Sequence, residues 1–467
     1  MSGLPRGWIA TQLEIIAKVG WGNTTLTKKT YTDKGYTAFS AAGPDGFLST
    51  AEHNGFGIIL SAIGAGCGRC FRANGKWTAI KNTMTITECL AERDYLFAFL
   101  NDPKRWPKKG GAQPFITLGD ARLVSIPLPP LAEQKRIVAK LDALSAKSAR
   151  ARTELARIET LVSRYKQNFL RTSFLGKATE EWRAKRPNLE AASDLIGRIT
   201  APPKARGGRD ATDRVIEGKA ALAVNKPQRA APSNWQWVPL GQIARQETGH
   251  TPSRSHPEWW GGDIPWIGIK DAGLHHGQII EDTLQKTNDA GLANSAARLL
   301  AAGTVCLSRT ASVGYVTIMG KPMATSQDFV TWTCTEALLP KFLMYALMAE
   351  GDDITDFGNG TTHTTIYFPE VRAMHICLAP LEEQYEIVRR IETAFARIDR
   401  LATEAKRALT LVGKLDEAIL AKAFRGELVP QDESDEPASV LLERIRAEQA
   451  LAPKPKRGRG GKPSLVS

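Results

Sequence analysis

The feature that most constrains this chain is a segment that occurs twice. Ile126-Pro127-Leu128-Pro129-Pro130-Leu131-Ala132-Glu133-Gln134 runs on into Lys135-Arg136-Ile137-Val138. Ile376-Cys377-Leu378-Ala379-Pro380-Leu381-Glu382-Glu383-Gln384 runs on into Tyr385-Glu386-Ile387-Val388. The spacing of 250 positions, from 126 to 376, holds without a gap as far as Gly176 and Gly426. Thr153-Glu154 returns as Thr403-Glu404, Thr160-Leu161-Val162 as Thr410-Leu411-Val412, and Phe174 as Phe424. So long a period points to two copies of one architecture rather than a solenoid of short units.

Each copy carries a long helical pattern. Val388, Ile391, Phe395, Ile398, Ala402, Ala405, Leu409 and Val412 alternate spacings of three and four, as do Ile137, Leu141, Leu144, Ser148, Ala151, Leu155, Ile158, Val162, Tyr165 and Phe169. That spacing is the seam of a coiled coil. Proline before the pattern and Glu133 or Glu383 in its first turn suit a helix start, and Gly176 and Gly426 suit a helix end. A helix of some forty residues spans roughly 60 Å. A generic helical hairpin fits the periodicity equally well.

The remainder brackets these helices. At 467 residues the chain is long enough for more than one domain. It is 42% hydrophobic and 24% charged, a globular balance. It lacks both an apolar run long enough to cross a membrane and a signal-peptide pattern, so a cytoplasmic location is expected. A formal charge of +13 favours a polyanionic partner such as nucleic acid. The six cysteines are scattered, and Cys67-Gly68-Arg69-Cys70 has no second pair or nearby histidine to complete a metal site.

Residues 1–130 mix strand patterns, such as Phe56–Ile63, with a helical one, Glu92–Leu100, which suggests an α+β domain. Ala192-Ser193-Asp194-Leu195-Ile196-Gly197-Arg198-Ile199 resembles Ala438-Ser439-Val440-Leu441-Leu442-Glu443-Arg444-Ile445, so a short helix also occurs twice. Each is followed by a basic run rich in Pro and Gly, at 202–209 and 453–459, expected to be disordered. A second globular segment starts near Trp235, and its Gly303-Thr304-Val305-Cys306-Leu307-Ser308 parallels Gly57-Ile58-Ile59-Leu60-Ser61.

The repeated Pro-Leu-x-Glu-Gln, the Ile-Val that follows and the closing Phe-x-Gly resemble the conserved helical regions of type I restriction-modification specificity subunits. The first copy departs from the pattern only after Gly176, where Lys177-Ala178-Thr179 replaces the Leu428-Val429-Pro430 run of the second. The resemblance implies an α+β fold with two target-recognition domains separated by a pair of long antiparallel coiled-coil helices, in a pseudo-two-fold internal repeat. The recognition domains would be 1–130 and 235–380. The helical regions would be 131–180 and 381–430, with a short helix and basic linker at 181–234 and a short helix and basic tail at 431–467.

The implied function is sequence-specific binding of double-stranded DNA with a bipartite target. The partners would be two methyltransferase subunits and restriction subunits, and S-adenosylmethionine, ATP and Mg would belong to them. This chain shows no phosphate-binding Gly-Lys-Ser/Thr loop, no Asn-Pro-Pro-Tyr/Phe signature and no nuclease core, so no catalytic residue is expected in it. A basic coiled-coil scaffold binding nucleic acid without sequence preference is the alternative. Candidate DNA contacts are Arg69, Lys108 and Lys109 in the first domain, and Lys270, Arg309, Thr310, Ser312, Thr361, Thr362 and His363 in the second. Lysines beside glycine suit phosphate anchoring, and Arg309 among small and hydroxylated residues suits a guanine edge. Candidate partner-docking residues are Leu131, Glu133, Gln134, Leu381, Glu383 and Gln384, because capping accounts for one glutamate per copy but not for the paired glutamine.

Overall fold

The computed structural model describes residues 3–203, 210–310, 312–358 and 364–451. They form two compact units. One comprises the described part of Met1–Leu155 with that of Arg407–Ser467; the other comprises that of Ala156–Lys406. The border cuts both long helices, Leu131–Phe174 and Leu381–Ala423. Each unit therefore contains the beginning of one long helix and the end of the other.

The sequence signals at the helix ends act as expected. Gln134 N–H donates to Pro130 O and Gln384 N–H to Pro380 O, each at 2.9 Å, closing the first turns. At the other end Gly176 and Gly426 have φ of 73° and 74°, a conformation that only glycine adopts without a Cβ penalty. Lys177 N–H returns to Thr172 O at 3.2 Å and Glu427 N–H to Lys422 O at 2.9 Å, the same glycine-capped closure twice. The missing Leu-Val-Pro run leaves the first copy's end unchanged.

Within each unit the two helices run antiparallel. In the first, Ile137 and Leu141 share a core with Ala423 and Phe424, and Arg152 pairs with Asp416 at 2.7 Å. In the second, Lys166 pairs with Asp399 at 2.5 Å and Arg390 donates to Ala178 O. The seam residues are buried or half-buried with one exception: Tyr165 is 60% exposed. A two-helix seam covers only a narrow stripe, and Tyr165 falls on its rim.

The recognition segments repeat one architecture. In the first unit an antiparallel sheet has the strand order Lys18–Trp21, Thr83–Thr87, Gly57–Ser61, Cys70–Ala73. The second unit has Ala244–Thr248, Phe329–Cys334, Val305–Ser308, Val316–Met319 and adds Ile279–Ile280 at the edge. A further sheet in each unit contains one parallel pair, Tyr36–Ser40 with Lys76–Ala79 and Trp260–Ile267 with Ala324–Thr325. The strand before each long helix pairs with the strand that opens the domain, in matching register: Ile9 faces Leu128 and Gln236 faces Leu378.

The ends of the long helices are core residues. Phe174 packs edge-on against Phe342 at 5.0 Å in the second unit, and Phe424 against Tyr95 and Phe99 at 5.7 and 5.1 Å in the first. Burying such a ring contributes about 1.5–3 kcal/mol. The short helices that follow dock alike: Ala192 N–H donates to Asn234 O and Ala438 N–H to Gly7 O, both at 2.9 Å.

Residues 210–234 hold more structure than a basic linker. Ile216–Glu217 and Leu222–Val224 form a hairpin that extends the sheet of Met374–Leu378. The apolar run Ala220–Val224 is buried there, and Glu350 anchors it by accepting the amides of Lys219, Ala220, Ala221 and Leu222 at 2.6 to 3.2 Å. The basic runs 204–209 and 453–459 lie outside the described residues.

Candidate functional site

The repeated Glu-Gln pair sits at a junction inside each unit. Trp8, which opens the first domain, donates its indole N–H to Glu133 Oε2 at 3.0 Å, and Trp235 donates to Glu383 Oε2 at 2.9 Å. Gln134 accepts from Glu92 N–H and donates to Pro129 O, both at 2.8 Å. Gln384 accepts from Leu339 N–H at 2.9 Å and donates to Ala337 O and Ala379 O at 2.8 and 2.9 Å. Glu92 and Leu339 each precede a domain helix, Arg93–Leu100 and Pro340–Glu350. One carboxylate and one amide thus tie the opening tryptophan, a domain helix and the last strand to the start of a long helix.

This geometry assigns the four polar residues an internal role, with exposures of 1% for Glu133 and 0% for Gln134, Glu383 and Gln384. A buried polar group needs an internal partner, and each has one, so these residues serve the fold. Burial raises the Glu133 carboxyl above its ordinary pKa, against the opposing Trp8 bond. Leu131 is exposed and Leu381 half-buried. Other apolar surface lies nearby in the second unit, where Leu161, Tyr165 and Leu401 line a groove of about 1010 Å³ along the helix pair.

Arg69, Arg309, Thr310 and Ser312 lie on a turn that both units build between matching strands. In the first unit the turn after Ser61 contains Gly64 and Gly68, with φ of 101° and 91°. It is stitched to the segment before the long helix by Gly64 N–H to Pro114 O and Ile116 N–H to Ala62 O, both at 2.9 Å. Arg69 and Lys108 are exposed, and a Cβ added at Gly68 would stand 3.0 Å from Lys108 Cε, so the two cations are neighbours. Lys109 is paired with Asp120 at 2.6 Å, which holds that carboxyl below its usual range.

In the second unit the matching turn follows Ser308, with Ser312 at φ 95° and Gly314 at 108°. Ile366 N–H donates to Arg309 O at 3.0 Å, the counterpart of the Ile116 bond. Thr310 Oγ1 donates to Asp328 at 2.6 Å, and Ser308 Oγ to Ser312 O at 2.6 Å. Lys270 is exposed on the helix Ile269–Leu274, whose Gly273 faces the Tyr315 ring. Thr361, Thr362 and His363 lie outside the described residues.

Arg309 itself does not present a free fork. Its guanidinium stacks on Phe368 at 4.4 Å, Nη2 donates to Gln327 O at 3.0 Å, and Nε is buried with no acceptor among the described residues. Burial lowers its pKa from the ordinary arginine value. Arg309 is thus turned toward its own domain, where Phe368 offers a ring face next to the turn.

Sequence reasoning missed the loop 249–259. Thr251 Oγ1 donates to Gln327 Oε1 at 2.6 Å, so this loop adjoins the Arg309 turn. Its Arg254 stacks on Trp260. An arginine five residues before the Trp259-Trp260 pair was the available signal. Cys67 and Cys70 are buried, with Sγ atoms 3.4 and 3.3 Å from the carbonyls of Ala62 and Leu100. Among the described residues no helix is long and apolar enough to cross a membrane, and no cluster of three or more His, Cys, Asp or Glu side chains suits a metal ion.

Comparison with known proteins gives the same picture. The family model for the type I restriction modification DNA specificity domain matches residues 5–160 and again 232–410. The EcoDI specificity subunit of Escherichia coli is 26% identical over 96% of this chain and 97% of its own length. The EcoKI specificity subunit of Escherichia coli K12 is 26% identical over 71% of this chain and 65% of its own length. The HsdS subunit from Thermoanaerobacter tengcongensis shares the fold, with TM-score 0.55 and 20% identity over 91% of this chain and 98% of its own. So does a chain solved in work on complex assembly and conformational transition of the type I R-M system, with TM-score 0.62 and 19% identity over 92% of this chain and 100% of its own. Two matches to one specificity-domain model, falling on two units of one architecture, establish that the chain belongs to the family of type I restriction-modification specificity subunits.

Proposed function

We propose that this chain is the non-catalytic, sequence-specific DNA-binding subunit of a type I restriction-modification complex, each recognition domain reading one half of a bipartite target. The observation that carries this reading is the repeated turn, after Ser61 and after Ser308, bonded in each unit to the segment that precedes a long helix. Exposed Arg69 and Lys108 would anchor phosphates in the first domain, and Lys270 in the second. Thr310 and Ser312 would support backbone or base contacts, together with Thr361, Thr362 and His363. A charge of +13 supports a polyanionic ligand.

Two methyltransferase subunits and the restriction subunits would dock on the helical regions and bring S-adenosylmethionine, ATP and Mg with them. The assembly would work in the cytoplasm. With Glu133, Gln134, Glu383 and Gln384 buried, docking would use exposed neighbours such as Leu131 and the groove of Leu161, Tyr165 and Leu401.

The test is coexpression of the tagged chain with a type I methyltransferase subunit, followed by native mass spectrometry. A complex of two methyltransferases per chain is expected, with methyl transfer to DNA by the complex and none by the isolated chain. A chain that stays alone, or that turns over S-adenosylmethionine or ATP by itself, contradicts the proposal.

A further inference from the structure

We infer that Arg254, oriented by Gln285, is the principal base-reading arginine of the second recognition domain, and that Arg309 is a positioning residue beneath it. The inference rests on the proposed DNA-reading function. An arginine discriminates a guanine when its fork is exposed and already held in one orientation, since ordering a loose side chain costs affinity.

Arg254 meets both conditions. It is exposed, yet its guanidinium carbon stands 4.1 Å from the centroid of the Trp260 ring and 5.5 Å from that of Trp266. The two indoles meet edge to face at 5.2 Å, a rigid corner for a planar cation. Trp266 is buried and donates its Nε1 to His250 O at 3.1 Å, so the corner does not drift. Nη2 of Arg254 donates to the exposed Gln285 Oε1 at 2.8 Å. An arginine and a glutamine side by side present the donors that suit guanine and the amide that suits adenine.

The position is also right. His250 N–H donates to Thr325 O at 2.9 Å and Thr251 Oγ1 to Gln327 Oε1 at 2.6 Å, seating the loop against the segment that accepts Arg309. Arg309 lies behind, on Phe368, with its Nη2 given to the Gln327 carbonyl. The first unit builds a comparable loop with a single 3-10 turn, Lys28–Thr30 against Pro257–Trp259. That loop, residues 22–35, holds no arginine, and its Lys28 is paired with Asp45 at 2.5 Å, so the arginine device belongs to the second domain.

The experiment uses the full chain and duplexes with a randomised centre, with bound molecules recovered and sequenced for the wild type, R254A, R254K, Q285A and R309A. R254A is expected to lose preference at one or two positions of one sequence block, discrimination there falling on the order of ten- to a hundred-fold. The other block should be unchanged. R254K should show the same loss, because a lysine lacks the paired fork. Q285A should blur the same positions less. R309A should weaken binding without changing the preferred bases. The inference is overturned if R254A keeps full discrimination everywhere, or weakens every position alike as a phosphate anchor would. A wild type that enriches no sequence at all would instead sink the DNA-reading function itself.

Discussion

Trp235 donates its indole N–H to Glu383 at 2.9 Å, binding the first residues of the second recognition domain to the first turn of the second long helix. The same carboxylate accepts Thr179 Oγ1 at 2.6 Å and Arg183 Nη1 at 2.5 Å, so three segments converge on one buried anion. Its counterpart Glu133 receives the Trp8 indole, and its Oε1 has no donor among the described residues. Removing one member of a buried ion pair costs about 3–5 kcal/mol, whereas losing one ordinary bond to a charged group costs about 1.5–3 kcal/mol. Glu383→Ala should therefore destabilise the protein more than Glu133→Ala. Urea unfolding of the two variants checks the order; equal losses would show that Arg183 contributes nothing to the junction.

Gln134 and Gln384 provide the second prediction. Each side chain is fully buried, with an acceptor and a donor both engaged. Alanine at either position should leave backbone groups unpaired and cost about 1–3 kcal/mol. A docking role for the recurring pair predicts instead that copurification weakens while the fold stays intact. Parallel measurement of thermal unfolding and copurification separates the two, since unchanged stability with a weakened complex would favour the docking role.

Acid should weaken the start of the second long helix. Glu386 accepts two bonds from Arg389 at 2.8 Å and one from Arg390 at 2.6 Å, and Arg389 above all holds its pKa at about 2. That lies below the unfolded value of roughly 4.3. The stabilisation is fully present above the unfolded value and disappears as pH falls toward about 2. Glu386→Gln should flatten the stability profile below roughly pH 4.3. An unaltered slope in the variant would mean that the pair is matched in the unfolded chain.

The two lysines of the first domain should behave differently. Lys109 is committed to Asp120 at 2.6 Å, while Lys108 lies exposed beside the Arg69 turn. Lys108→Ala should weaken binding to all duplexes and reduce the salt slope by about 1. Lys109→Ala should change it less. Titrations at several salt concentrations measure both, and a larger effect from Lys109 would place the phosphate path on the other side of the loop.

What the sequence made legible was whatever repeats in register. The 250-residue spacing fixed both helices, their proline starts and their glycine ends, because a continuous helix tolerates no insertion without losing its seam. The recognition segments were harder to align. Trp8 corresponds to Trp235 and Ser61 to Ser308, so the spacing shifts along the domain as loops differ in length. The hairpin at 216–224 was hidden because small residues such as Ala220 and Ala221 carry little strand signal, and Glu350 and Cys377, far along the chain, pin them. The direction of Arg309 depended on Phe368, and the Arg254 corner on Trp266, neither adjacent in sequence. Side-chain partners of that kind are set by tertiary packing.

The central claim is that two copies of one recognition architecture read two halves of one DNA target. It is tested most directly by incubating the wild-type full chain with duplexes carrying a long randomised centre and sequencing what it retains. Two short specified blocks separated by a fixed number of unspecified base pairs are the predicted result. A single uninterrupted block, or retention without any sequence preference, would contradict it.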